Sequence, residues 1–270
     1  MLFRSNRTKA HAEEVIAAGA RWADSPAEAT LNNEAVMVMV GFPADVEETY
    51  LGPKGIFSVV QPGQIVVDMT TSKPSLEREL KQTAPAGVGI LDAPVSGGDK
   101  GAKEGTLTVM VGGDQEAYQT MTPAFLQLGK DIHYFGVAGA GQHAKMANQI
   151  MVAGTMTGLV ETLVYAKAAG LNLQDVVATV GGGAAANWSL TNYAPRILKD
   201  DYTPGFFAKH FLKDLRIALE EADAMGIDLP ATKVAKQLYE QLVDSGHGDS
   251  GTQALIKLWW KDEKEDGKKD

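Results

Sequence analysis

Lys145, Asn148 and Gln149 lie in the stretch GVAGAGQHAKMANQ, residues 136–149. Its glycines lead into a helix start, and residues three or four apart share one helix face. The three side chains can therefore point at one small molecule. A lysine beside neutral amides near a helix N-terminus suits proton delivery to a carbonyl oxygen. A solvated lysine on an ordinary amphipathic helix accounts for the same residues. A second segment, DAPVSGGDKGAKEG at 92–105, follows a strand-like run. Read as a loop at the carboxyl end of a strand, it stands where open α/β sheets bind ligands. Ser96, Gly97 and Gly98 there offer a carboxylate one hydroxyl and two amides. A surface turn that needs glycine for its backbone explains the loop equally well.

Three further segments carry polar groups. DMTTS at 68–72 ends another strand-like run. Its hydroxyls can touch a ligand, or cap the helix that begins near Pro74. KHFLKD at 209–214 places Lys213 and Asp214 at the opening of an amphipathic helix, where a surface ion pair is the plain reading. FRSNRT at 3–8 precedes a helix. In a dinucleotide-binding fold, an acid at the end of the second strand takes the ribose 2′-hydroxyl of NAD. Ser5, Asn6, Arg7 and Thr8 fill that place without an acid. Arg7 beside a hydroxyl favours a 2′-phosphate, hence NADP over NAD. The alternative is an Asn/Thr helix cap next to a solvated arginine.

The elements that must position these residues change character along the chain. Val36–Val40 (VMVMV), Ile65–Asp68 (IVVD), Gly89–Leu91 and Leu107–Val111 (LTVMV) read as strands buried on both faces. Helices are predicted at Lys9–Ala18, Ala44–Tyr50, Pro74–Thr83 and Gln115–Leu126. Strands alternating with helices imply a parallel α/β sheet. From Ala140 to Ala169 a proline-free stretch rich in Ala, Met, Leu and Val predicts one helix of roughly 45 Å, apolar on most faces and so buried within a domain. Leu173–Val180, Leu190–Leu198, Phe206–Met225 and Pro230–Ser245 follow as helices, with no strand-like alternation. The fold class is thus an α/β Rossmann-like domain over residues 1–136, then an all-α domain over 137–260 built on a long central helix. Residues 261–270, KDEKEDGKKD, read as a charged disordered tail.

Composition narrows the function classes. The chain has 270 residues, enough for two cores, and a net charge of -9 with no basic cluster in its globular part, which argues against nucleic acid. It has no cysteine, so disulfides and thiolate metal sites are excluded. His11, His133, His143, His210 and His247 are scattered without metal-ligand spacing, so no metal site is expected. No apolar run is long enough to span a membrane, and the start lacks the apolar run of a signal peptide. A cytoplasmic protein with no membrane partner is the expectation.

DAPVSGG followed by GTLTVMVGG, then GxxGxGxxxKxxNQ, then KDL, resembles the β-hydroxyacid dehydrogenase family. The resemblance runs from Asn6 to Gly251. It implies a Rossmann domain, a helical domain, and hydride transfer between NAD(P) and a small 3-hydroxy acid or its semialdehyde. Lys145 matches the family's catalytic lysine, Asn148 an amide that orients the substrate, and Ser96, Gly97 and Gly98 the carboxylate-binding loop. Asn6, Arg7 and Thr8 fall at the cofactor's ribose, Thr71 near its nicotinamide, and Lys213 close to cofactor and active site. Val40 and Gly41 stand where the family often has Leu-Pro beside the cofactor. A homodimer or homotetramer assembled through the helical domain is implied.

One departure is large. The family begins with a strand and a GxGxxG loop, whereas the first glycine here is Gly19. The chain reads as starting inside the second strand, without a unit of roughly 30 residues. The pyrophosphate normally rests on that loop, so weak NADP binding and unpaired strand edges are expected. Two other readings stay open: a catalytically silent dimerisation module, and an imine reductase, a related class that usually lacks the lysine found at 145.

Overall fold

The computed structural model describes residues 3–260. The chain forms two compact units, Met1–Lys145 and Met146–Asp270.

In the first unit, β1 (Phe3–Arg4) and β2 (Arg21–Trp22) make a separate parallel pair. A 3₁₀ turn at Lys9–Ala12 and a short α1 (Glu13–Ala17) stand where one helix was predicted. The main sheet collects β3 (Ala35–Val38), β4 (Ile65–Asp68), β5 (Gly89–Asp92), β6 (Val95–Ser96), β7 (Leu107–Gly113) and β8 (Gly129–Gly136). Helices α2 (Pro26–Thr30), α3 (Pro43–Leu51), α4 (Pro74–Thr83), α5 (Gly98–Glu104) and α6 (Gln115–Leu128) connect them.

Strand order is β3-β4-β5-β7-β6, with β8 also on β7. β3, β4 and β5 are parallel, as expected. The sheet is nonetheless mixed, because β7 runs antiparallel to both β5 and β6. The reason lies in chain length. Asp92 pairs with Gly112 and Val95 with Val109, so β5 and β6 run in line along one edge of β7. Residues 97–106 then bring the chain back, a link too short for a parallel crossover. The expected open loop at 92–105 is accordingly a short strand followed by a helix.

All four residues of β4 are buried, and their alternation feeds two cores. Val66 joins Val46, Tyr50, Ile56, Leu80 and Ile90. Val67 joins Leu91, Val109, Val111, Met121 and Phe125. β3 is less covered: Met37 and, just after the strand, Met39 are 40% and 59% exposed, and among the described residues only β4 pairs with it.

Helix α7 (Ala140–Ala168) is 29 residues long and continues from the first unit into the second. The second unit adds α8 (Leu173–Gly181), α9 (Trp188–Ile197), α10 (Ala208–Ala224), α11 (Pro230–Leu242) and a 3₁₀ turn at Thr252–Leu258. Met156, Leu163, Leu190, Phe211, Leu215, Tyr239 and Leu255 form its core. α7 is not buried on most faces. Ala153, Met156, Val160 and Leu163 point into the core, while Met151 and Tyr165 are 69% and 76% exposed. Its composition is apolar all round, but only one face meets α9 and α10 residues. The tail at 261–270 lies outside the described residues.

Candidate active site

The GVAGAG segment uses its glycines in different ways. Gly136 and Gly139 have φ of 116° and 88°, a left-handed backbone that side chains resist. Gly141 is needed for space: a Cβ there would lie 2.3 Å from the Met110 carbonyl oxygen and 2.7 Å from that of Asp92. This close approach sets the start of α7 directly against β5 and β7.

Asp92, the last residue of β5, holds that start in place. It is 1% exposed. Its Oδ1 accepts from the Gly139 amide and its Oδ2 from the Gln142 amide, both at 2.8 Å. Burial raises its carboxyl pKa, and the two amides oppose the rise. Gln142 then ties the helix to the turn after β4. Its Nε2 donates to the Thr70 carbonyl at 2.7 Å, and its Oε1 accepts from the Ser72 amide at 3.0 Å. Neither Asp92 nor Gln142 was singled out in the sequence, although both sit inside motifs that were. Gln142 precedes Lys145 by one helical step of three, and that spacing was the available signal.

Lys145 follows on the next turn. It is 7% exposed, so the solvated-lysine reading fails. Its Nζ donates to the Val95 carbonyl at 2.8 Å, which puts the ammonium one residue from Ser96. Gly97 and Gly98, with φ of 131° and 65°, turn the chain from β6 into α5. The structure therefore brings Lys145 together with the Ser96–Gly98 segment in the first unit.

The N-cap of α4, after this turn, is Lys73, which makes no side-chain capping bond. Thr70 is buried, and its Oγ1 accepts from the Val40 amide at 3.0 Å. Thr71 is the half-buried residue of the turn. Val40 and Gly41 lie between β3 and α3, both half-buried. Asp45 joins this turn to the 6–8 segment. Its Oδ2 accepts from the Phe42 amide at 3.0 Å, and its Oδ1 pairs with Arg7, whose side chain is 78% exposed. Thr8 occupies the cap position of the following 3₁₀ turn without a side-chain bond, and Asn6 is half-buried. The cap reading of 6–8 is not what the side chains do.

In the second unit, Asn148 and Gln149 join a buried chain of polar groups. Asn148 Nδ2 donates to Gln149 Oε1 at 2.8 Å, and Gln149 Nε2 to Asp214 Oδ2 at 2.6 Å. Lys213 Nζ lies 3.0 Å from Asp214 Oδ1. Side chains of Lys213 and Asp214 are 11% and 1% exposed, so this is no surface pair. The two residues lie in the second turn of α10, not at its opening. Gln149, 2% exposed, is a structural tie more than a ligand-facing amide. Among the described residues no group of three or more His, Cys, Asp or Glu could hold a metal ion. No helix of the described residues is long and apolar enough to cross a membrane. GHGDSG at 246–251 has GxGxxG spacing but follows helix α11, not a strand.

Comparison with known proteins agrees with this arrangement. Residues 2–136 match the family described as the NAD binding domain of 6-phosphogluconate dehydrogenase. Residues 139–259 match the NAD-binding family of NADP-dependent 3-hydroxyisobutyrate dehydrogenase. The Bacillus subtilis oxidoreductase YkwC is 46% identical over 94% of this chain and 89% of its own length. The 2-hydroxy-3-oxopropionate reductase of Escherichia coli is 34% identical over 91% of this chain and 85% of its own length. Among solved structures, 3-hydroxyisobutyrate dehydrogenase from Salmonella typhimurium superposes with a TM-score of 0.86 at 25% identity, covering 95% of this chain and 90% of that one. With the lysine helix, the serine-glycine segment and the two family matches in one order along one chain, this protein belongs to the β-hydroxyacid dehydrogenase family and is an oxidoreductase.

Proposed function

We propose that this chain transfers hydride between a nicotinamide dinucleotide, NADP in preference to NAD, and a small 3-hydroxy acid or its semialdehyde. The observation that carries the reading is the Lys145 ammonium, buried and 2.8 Å from the carbonyl of Val95, next to Ser96. It joins a proton source to a carboxylate-binding segment on a few ångströms of backbone.

The residues present fit the nicotinamide and ribose end of the cofactor. The turns after β3 and β4 offer the half-buried Val40, Gly41 and Thr71, and Ser72 Oγ is buried without a partner. Arg7, with Asn6 and Thr8, supplies the cation for a 2′-phosphate, and Lys213 a second positive group. When bound, reduced nicotinamide supplies hydride to the aldehyde carbon. Lys145 hydrogen-bonds the aldehyde oxygen, stabilises the charge that develops there and passes it a proton, which gives the alcohol. Ser96 Oγ and the Gly97 and Gly98 amides hold the substrate carboxylate, and Asn148 orients it. In this reading residues 1–136 are the cofactor domain and 137–260 the substrate and assembly domain. The outward face of α7, with Met151, Gly154, Gly158 and Tyr165, suits a second copy of the chain in a homodimer or homotetramer.

The test is an assay of short semialdehydes, glyoxylate and a cyclic imine with NADPH and NADH. It is run on the 270-residue chain and on the same reading frame extended upstream. Turnover of a semialdehyde acid with NADPH is expected. Turnover of the imine alone, or of nothing in either form, defeats the reading.

A further inference from the structure

Below the Thr70–Ser72 turn lie acids that the proposed reaction does not use. Asp68 ends β4, Glu77 is in α4 and Asp92 ends β5, with exposures of 0%, 0% and 1%. Asp68 Oδ1 accepts from the Thr70 amide at 2.8 Å, but Asp68 Oδ2 and both Glu77 carboxyl oxygens have no donor. The Asp68 and Glu77 carboxyls are within hydrogen-bond reach of each other. Two ionised carboxylates can only accept, so they cannot satisfy one another. Three orphaned oxygens in a dry core would be costly. One proton between them removes most of that cost.

We propose that Glu77 donates a proton to Asp68, and that this shared-proton pair positions the Thr70–Ser72 turn. The groups facing the pair support this. Burial is the main force raising both carboxyls, Asp68 to about 6 and Glu77 well above its ordinary value. Asp92 from β5 adds a further negative charge, which raises both. Tyr50 from α3 brings a buried hydroxyl, itself raised by burial and by Asp68, Glu77 and Asp92. Against the rise act the Thr70 amide and hydroxyl on Asp68, and the Gln142 side chain on Glu77. The same Gln142 grips the backbone of Thr70 and Ser72. Losing the proton would set two bare charges under a turn held by those few bonds.

The sign follows from linkage. A carboxyl with a raised folded value binds its proton more tightly in the native state than in the unfolded one. Its contribution is complete below the ordinary carboxylate value and is lost as pH rises through the raised value. Glu77 is thus a positioning residue. Any effect on cofactor binding at Thr71 rests on the function proposed above, whereas the turn itself can be followed without cofactor.

The experiment is amide hydrogen exchange of the Thr70, Thr71 and Ser72 amides between about pH 6 and pH 10, read as protection factors against Val109 and Val111 in β7. In the wild type, protection of the turn falls by up to about tenfold per pH unit between the ordinary and the raised carboxyl value and levels off once the proton is lost, while β7 holds. Glu77→Gln keeps a donor that does not titrate, so its turn stays protected across the range. Glu77→Leu removes the donor and leaves the turn less protected at every pH. A Gln variant with the wild-type pH slope, or a Leu variant with wild-type protection, overturns the proposal. Exchange that behaves as expected in a chain inactive on every substrate would uphold the pair and reject the enzyme reading.

Discussion

Lys145 Nζ donates to the carbonyl oxygen of Val95 at 2.8 Å, and the residue after Val95 is Ser96. Lys145 and the Ser96–Gly98 segment, the proton donor and carboxylate site of the proposed reaction, are therefore held in register by one bond. Replacing Lys145 with Ala should reduce turnover by about 10²- to 10⁴-fold, the usual worth of a positioned acid. Calorimetric cofactor binding should be unchanged from the parent. Lys145→Arg should recover little, because a planar fork does not fit a place made for one ammonium. Wild-type turnover in the Ala variant would falsify the assignment of Lys145.

Asp92 bonds two amides at the start of α7 from one buried carboxylate. Asp92→Ala leaves both amides and the turn of Gly139 without their partner. Chemical denaturation should show a loss of about 3 kcal/mol, the scale for deleting an ionic acceptor in a dry setting. A loss below about 1 kcal/mol would mean that water replaces the carboxylate easily.

Asp45 links Arg7 to the turn after β3. In the proposed reading Arg7 meets the 2′-phosphate, so Asp45 competes with that phosphate for the same guanidinium. Asp45→Asn keeps the helix cap and releases Arg7. The ratio of kcat/KM for NADPH over NADH should rise about two- to fivefold, a modest change because the Arg7 side chain is exposed. Arg7→Ala should move the ratio the other way. A ratio that neither change affects would remove Arg7 from cofactor selection.

Asp214 satisfies both Gln149 and Lys213. Asp214→Ala removes the acceptor of the Gln149 amide and a charge partner of the enclosed Lys213, so the loss should approach about 3 kcal/mol in denaturant titration. A surface pair would cost under about 1 kcal/mol, and that result would contradict the burial seen here.

Much of this architecture could be read from local pattern. IVVD and PSLERELKQT match β4 and α4 to the residue, because one is a continuous apolar run and the other starts at Pro74 in the first turn. The long helix was legible within one residue, Ala140–Ala168. β8 was missed because GKDIHYFG is an edge strand, carries Lys130 and Asp131 and has no residue but Gly129 buried. β6 and α5 were missed because glycine at 97, 98, 101 and 105 reads as loop, while two of these residues turn the chain into a helix. Site residues followed the same divide. Lys145 and Ser96 stand out in their motifs, and the structure sets them close through the Lys145 bond to Val95. The carboxylates at 68, 77 and 92 were not, since an acid at a strand end looks the same whether its partner is water or a buried amide. Lys213 and Asp214 fit an amphipathic helix in either setting, and only packing shows that the pair is enclosed.

β3 has a consequence for the protein in a tube. Its outer row of backbone N–H and C=O groups has no strand beside it among the described residues, and Met37 on that strand and Met39 just after it stand exposed. Such a row is a template for any extended segment of similar length. Concentrated samples have a defined place to begin self-association, through strand addition and not through general unfolding. A lysine at Met39 would put charge where association starts while leaving both cores untouched.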